Sequence, residues 1–163
     1  IAVLGSTGSI GVSALEVVAA HPDRLEIVAL AAGANVDKMQ AQVAQVRPRA
    51  VAMATAEVTT LVQQGLASQV RQGVSLWESG REGLVAIATH PDVDVVLCAC
   101  SGTEALEAVL AAIEAGKNVV TSNKAMACTF YDELLPLVQE KKVLFRCTAA
   151  VGGGIGWLSE LGR

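Results

Sequence analysis

Ile1-Ala2-Val3-Leu4-Gly5-Ser6-Thr7-Gly8-Ser9-Ile10-Gly11 opens the chain, and its reading decides the fold. Ile1 to Leu4 form an apolar run with the length of a short buried strand. Gly5, Gly8 and Gly11 follow at three-residue intervals and lead into an apolar helical stretch that stops at His21-Pro22-Asp23. Strand, glycine turn and helix start, in that order, make a cradle for a pyrophosphate. Gly5 permits the tight turn, Gly8 lets the backbone approach phosphate oxygens, and Gly11 lets the helix lie close to the strand. Thr7, Ser9 and the unpaired N–H groups of the first helical turn, which includes Ile10, offer donors to an anion. The alternative is a glycine-rich turn that only caps a helix, since G-x-x-G-x-x-G differs from the G-x-G-x-x-G of the NAD fingerprint. The flanking strand and helix favour dinucleotide binding.

The second strand bears on which dinucleotide. Leu25-Glu26-Ile27-Val28-Ala29-Leu30 is the next apolar run, and it leads into Ala31-Ala32-Gly33-Ala34-Asn35. A site that prefers NAD places Asp or Glu at the end of this strand to accept from the ribose 2′-OH. No carboxylate stands there, so a 2′-phosphate meets no repulsion. Gly33 and Asn35 offer donors, Lys38 lies one turn further on, and NADP is the expected cofactor. Asn35 also suits the N-cap of a helix beginning near Val36, and both roles can coexist.

Composition narrows the class. The 163 residues make one domain that is 52% hydrophobic but only 3% aromatic, so Val, Ala and Leu must build its core. That mix suits parallel strands covered by alanine-rich helices. A net charge of −4 with a pI near 5.1, and no basic run, argues against a nucleic-acid partner. Every apolar run is broken well before the roughly 18 residues a membrane span needs. No signal peptide is visible, and the absence of Met before Ile1 reads as a few leading residues lost. Cys98, Cys100, Cys128 and Cys147 read as small buried hydrophobes of a reducing compartment, because C-x-C is neither a metal nor a redox spacing.

The rest of the chain alternates strands and helices. Val36 to Gln45 carries helical spacing before Pro48, Ala50–Met53 reads as a strand, and Glu57–Gln64 as a helix. Residues 65–83 are the least legible, with a strand at Val74–Trp77; a helix follows over Gly83–Thr89. Val93–Ala99 reads as a strand, Thr103–Ala115 as a helix capped by Gly116, and Asn118–Thr121 as a strand. A helix over Tyr131–Lys141 and a strand over Val143–Arg146 close the series. This is the pattern of an α/β, Rossmann-type, doubly wound parallel sheet. Ligands of such sheets lie beyond the carboxyl ends of the strands, which selects Gly5–Gly11, Ala32–Asn35, Ser101–Thr103 and Thr121–Lys124 as one rim. Lys124, the fixed positive charge there, is the candidate catalytic residue: it would bind a phosphate or polarise a carbonyl, or else be a solvated loop lysine. His21 and His90 each precede Pro and Asp and belong to helix-ending turns on the far side of the sheet.

Leu4 to Gly11, Ala32-Gly33-Ala34-Asn35-Val36, Ala111 to Lys117 and Asn123-Lys124 together resemble the amino-terminal domain of 1-deoxy-D-xylulose 5-phosphate reductoisomerases, in order and spacing, over about the first 125 residues. The resemblance implies an NADPH-dependent oxidoreductase of isoprenoid-precursor synthesis, present as its cofactor-binding portion. It implies that Thr7, Gly8, Ser9, Ile10, Gly33, Asn35 and Asn123 contact NADPH, and that Lys124 contacts a small phosphorylated sugar. In that family a later Asp-Ser-Glu block holds a divalent metal; here Cys147-Thr148-Ala149-Ala150-Val151-Gly152-Gly153-Gly154-Ile155-Gly156 follows the last strand, and Ala125-Met126-Ala127 replaces the expected Glu after Asn-Lys. The glycine-rich tail is similar to homoserine dehydrogenases. The expected organisation is therefore an NADP-binding domain over 1–146 and, over 147–163, the start of a connection toward a catalytic domain absent from this chain. A homoserine-dehydrogenase-like enzyme and a non-catalytic NADP-binding module are the alternatives. A cytoplasmic site (plastid stroma in a eukaryote) and a homodimer are further expectations.

Overall fold

The computed structural model describes residues 1–147. The first strand, β1 (Ala2–Leu4), is fully buried and feeds helix α1 (Ser9–Ala20) through the glycine turn. There follow β2 (Ala29–Ala31), α2 (Val36–Val46), β3 (Ala50–Met53), α3 (Ala56–Gly65), α4 (Ser68–Gly73) and β4 (Leu76–Ser79). The second half holds α5 (Gly80–Ala88), β5 (Val95–Cys98), α6 (Leu106–Glu114), β6 (Asn118–Thr121), α7 (Lys124–Thr129), α8 (Tyr131–Lys141) and β7 (Phe145–Arg146). The seven strands among the described residues are all parallel, in the order β4-β3-β2-β1-β5-β6-β7. The winding runs outward from β1 to one edge, then restarts at β5 on its other side. The crevice beside β1 is thus the topological switch point where such sheets bind ligands.

Alternation along each strand divides the core into two layers. Ala2, Leu4, Ala29, Ala31, Ala50, Ala52, Val96, Cys98 and Val119 face Ile87 of α5, Val109 and Ile113 of α6 and Leu134 of α8. Val3, Leu30, Val51 and Met53 face Leu15 and Val18 of α1, Met39 and Val43 of α2 and Val62 of α3. The small strand side chains of the first layer let α5 come down close to the sheet: a Cβ on Gly83 would stand 3.2 Å from that of Ala52. Among the described residues no helix is long and apolar enough to cross a membrane.

Several expectations need adjustment. The second strand is Ala29–Ala31 rather than 25–30; Leu25 to Val28 is its lead-in, where the Val28 N–H already donates to the Ile1 carbonyl at 2.9 Å. The unread stretch holds α4, and β4 lies at Leu76–Ser79, two residues later than expected. Helix α5 begins at Gly80, whose φ of +66° turns the chain straight from strand into helix. Helix α7 was not foreseen at all, and α6 starts at Leu106. Gly116 does take the left-handed conformation after α6, with φ +75°. Cys98 alone of the four thiols is buried; Cys100 and Cys147 are half-buried and Cys128 is exposed, so burial does not unite them. His21 ends α1, and His90 Nδ1 accepts from the Asp92 N–H at 3.2 Å, both in turns away from the glycine loop. Residues 148–163 of the glycine-rich tail lie outside the described residues.

Candidate functional site

Leu4, Ala31, Cys98 and Thr121 stand side by side in register at the carboxyl ends of their strands. The four loops that follow them form a single rim, as the sequence implied. Below it lies a cavity of about 560 Å³, a size suited to a small ligand, bounded by Gly5, Gly33, Ala54, Arg81, Cys100 and Thr103 among others.

The glycine turn is made of main chain. Gly5 has φ +85°, and its N–H donates at 2.8 Å to the carbonyl of Ala31, so the turn hangs from β2. A Cβ at Gly5 would lie 2.9 Å from the Ala99 carbonyl carbon; the left-handed backbone and the tight approach both demand glycine. At Gly11 a Cβ would come within 2.4 Å of the Gly5 carbonyl oxygen and 2.5 Å of Ser6. Gly11 therefore lets α1 press on the turn itself rather than on the strand, a correction to the sequence reading.

Gly8 is the N-cap of α1; it supplies no capping side chain, and the first turn carries no acidic residue. The leading N–H groups of α1, those of Ser9, Ile10 and Gly11, have no carbonyl one turn earlier to accept from them. Together with the positive end of a twelve-residue helix they favour an anion at Gly8. Gly8, Ser9 and Ile10 are exposed and Thr7 half-buried, so a ligand can reach them.

Sequence reading missed what fixes the turn. Ser6 Oγ donates to Gln42 Oε1 at 2.7 Å, and Gln42 Nε2 donates to the Ser6 carbonyl at 2.8 Å. Both residues are buried. This reciprocal pair ties the turn to α2 without using any donor that faces the rim. Its signal was available: a glutamine beside Val43 inside the apolar stripe of a helix. Lys38 Nζ adds a longer bond of 3.4 Å to the Thr7 carbonyl.

Gly33 is exposed, with open space around it. Asn35 is the N-cap of α2; its Oδ1 accepts from the Lys38 N–H at 3.1 Å, and its Nδ2 makes no bond among the described residues. Asn123 is different. It is buried; its Oδ1 accepts from the Met126 N–H at 3.0 Å, and its Nδ2 donates to the carbonyls of Cys100, at 2.9 Å, and of Gly102. The Asn123 N–H donates to Thr121 Oγ1, which itself donates to the Cys98 carbonyl, each at 3.0 Å. All the polar atoms of the Asn123 side chain are engaged within the chain, so the residue positions the loop after β5 and starts α7. Lys124 follows as the first residue of α7, not in a loop, and is exposed.

Two thiols sit under this rim. Hydrogen bonding from Cys100 holds the Cys98 thiol down to about 7, while the same contact and burial push Cys100 up. Among the described residues no three His, Cys, Asp or Glu side chains are placed together to hold a metal ion.

Comparison with known proteins agrees with the geometry. The family model described as 1-deoxy-D-xylulose 5-phosphate reductoisomerase matches residues 1–128. The reductoisomerase of Geotalea uraniireducens (strain Rf4) is 43% identical over 129 residues, covering 79% of this chain and 32% of that protein. A solved DOX-P reductoisomerase in complex with NADPH, fosmidomycin and magnesium superposes with a TM-score of 0.78 at 32% identity, over 88% of this chain and 35% of that one. This chain thus spans about a third of the length of the relatives it matches. A homoserine dehydrogenase from Thiobacillus denitrificans covers 98% of the chain with a TM-score of 0.59, but at 24% identity that likeness is one of fold alone. By its sequence over most of its length, and by the sheet that sequence builds, the chain belongs to the 1-deoxy-D-xylulose 5-phosphate reductoisomerase family.

Proposed function

We propose that this chain is the NADPH-binding portion of a 1-deoxy-D-xylulose 5-phosphate reductoisomerase, with residues 1–146 as the dinucleotide unit and 147–163 leading toward the remainder that longer relatives carry. The observation that supports this most is the glycine turn. It leaves an uncapped helix N-terminus at the sheet's switch point, with Gly5 and Gly11 packed where a Cβ would not fit. That cradle fits a diphosphate on its own geometry.

The bound cofactor would supply a hydride to a carbonyl carbon. The chain's own part is to hold and orient. The N–H groups of Ser9, Ile10 and Gly11, with the Thr7 and Ser9 hydroxyls, grip the diphosphate, and Gly33 and Asn35 border the adenosine ribose. Asn123 keeps the loop after β5 and the start of α7 in fixed relation, so that the far end of the cofactor lies toward Lys124. Lys124, exposed at that end, offers an ammonium to the phosphate of a small sugar substrate. The described residues provide no cluster that fits a metal ion.

Titration of the chain with NADPH, followed by cofactor fluorescence, tests the reading through Gly8→Asp. Gly8 has φ −75°, which aspartate adopts freely, and aspartate is a good N-cap, so the fold survives. Its carboxylate would take the helix donors and repel the diphosphate, with affinity falling roughly a hundredfold or more. Unchanged affinity in that variant overturns the proposal.

A further inference from the structure

Recognition of NADPH rather than NADH needs a cation near the adenosine 2′-phosphate. At the end of β2 the chain offers only Ala32, Gly33, Ala34 and Asn35. That stretch removes the carboxylate which would reject a phosphate, but supplies no positive charge of its own. Lys38 is on α2, and its ammonium reaches the Thr7 carbonyl at 3.4 Å, on the glycine-turn side. It does not border the cavity.

Arg81 does. Strand β4 ends at Ser79, Gly80 turns left-handed with φ +66°, and Arg81 stands in the first turn of α5, bordering the same cavity as Gly33, Met53 and Ala54. Those three residues end or follow β2 and β3, on the adenosine side of the switch point. Among the described residues that border the cavity it is the sole cation, and Glu104 is the sole anion. Its guanidinium pairs with Glu107 of α6 at 3.1 Å, with side chains 79% and 59% exposed. An ion pair that open to water contributes little, so the fork is easily given up to a stronger partner. A dianionic phosphate is such a partner: it accepts two parallel N–H bonds from a guanidinium and carries more charge than a carboxylate.

We propose that Arg81 recognises the 2′-phosphate of the cofactor and sets the preference for NADPH over NADH. This rests on the reading that the cavity takes a nicotinamide dinucleotide. Arg81 is released from Glu107 when the phosphate arrives, and Glu104 confines the phosphate to the β2 side of the cavity by repulsion. The residue is a specificity determinant with no part in hydride transfer, and nothing in the packed core depends on it.

The test is a pair of titrations, NADPH and NADH, on the 163-residue chain and on Arg81→Ala, Arg81→Lys, Glu107→Gln and Lys38→Ala. Arg81→Ala is expected to weaken NADPH about tenfold while NADH stays within about twofold, and to flatten the salt dependence of NADPH binding. Arg81→Lys keeps part of the preference, since it keeps the charge and loses the fork. Glu107→Gln strengthens NADPH a fewfold and leaves NADH alone. The inference is overturned if Arg81→Ala weakens both cofactors equally, which would make Arg81 a partner of the adenine ring. It is overturned equally if Arg81→Ala changes neither, or if Lys38→Ala carries the discrimination instead. A parent chain that binds neither dinucleotide overturns the dinucleotide reading and this one with it; a parent that binds NADPH with Arg81→Ala unaffected overturns this one alone.

Discussion

The loop after β1 and the loop after β6 border the same rim but are built by opposite means. The first is main chain: three glycines, a helix end without a side-chain cap, and donors left open. The second is side chain: Thr121 and Asn123 use their polar atoms to bind the strand ends and loop beside them. The contrast separates two tasks. An anion is gripped where backbone N–H groups lack partners, and the frame around it is kept rigid where every polar group has one. A residue at such a rim can therefore matter to a ligand either by touching it or by holding in place the loops that do.

The largest effect should come from filling the first loop. Gly11→Ala puts a methyl 2.4 Å from the Gly5 carbonyl, against backbone that cannot rotate away. We expect a loss of about 3 kcal/mol in urea unfolding, despite alanine's better helix propensity. A loss below about 1 kcal/mol would mean that the turn yields and that its close packing is not required.

Next comes the second loop. Asn123→Ala leaves the Met126 N–H uncapped and strips the carbonyls of Cys100 and Gly102 of a donor, for an expected loss of about 2 kcal/mol by the same measurement. Lys124→Ala, one residue on but exposed, should stay within about 0.5 kcal/mol. Equal effects at the two neighbours would erase the distinction between frame and contact.

The smallest effect concerns the thiols beneath both loops. Cys98 is held at about 7, below the ordinary 9.0, mainly by its hydrogen bond with Cys100. A depressed value in the folded state gives stability that is fully present above the ordinary value and is lost as pH falls through about 7. Thiolate absorbance should rise in that lower range, and Cys100→Ala should move the rise upward toward the ordinary range. A rise that ignores Cys100 would break the link between the two sulfurs.

How much of this could be read from residues alone differs in the same way between the loops. Main-chain devices leave a mark in sequence because only glycine meets their demands, so Gly5 and Gly11 announced the first loop. Strands β3 and β6 and helix α8 were read to the residue, since each has a clear apolar pattern with sharp ends. Helix α7 was invisible: Lys124-Ala125-Met126-Ala127-Cys128-Thr129 has no lasting periodicity, and the helix exists because Asn123 caps it. The roles of Asn123, Gln42 and Arg81 depend on neighbours 21 to 36 residues away in the chain, or on a cavity wall, and local spacing carries no record of those. For Asn123 the position on the rim was legible, while the bonds its side chain makes within the chain were not.

The bond between Ser6 and Gln42 has a consequence for how the domain tolerates change in length. Asn35 starts α2 at the end of the loop after β2, and Gln42 reaches the turn from two helical turns further along. One inserted residue between them would swing the glutamine roughly 100° around the helix and out of reach. Substitutions between Asn35 and Gln42 can be absorbed, but the register of that segment cannot drift, so the first two coils of α2 serve as a ruler between the loop after β2 and the glycine turn.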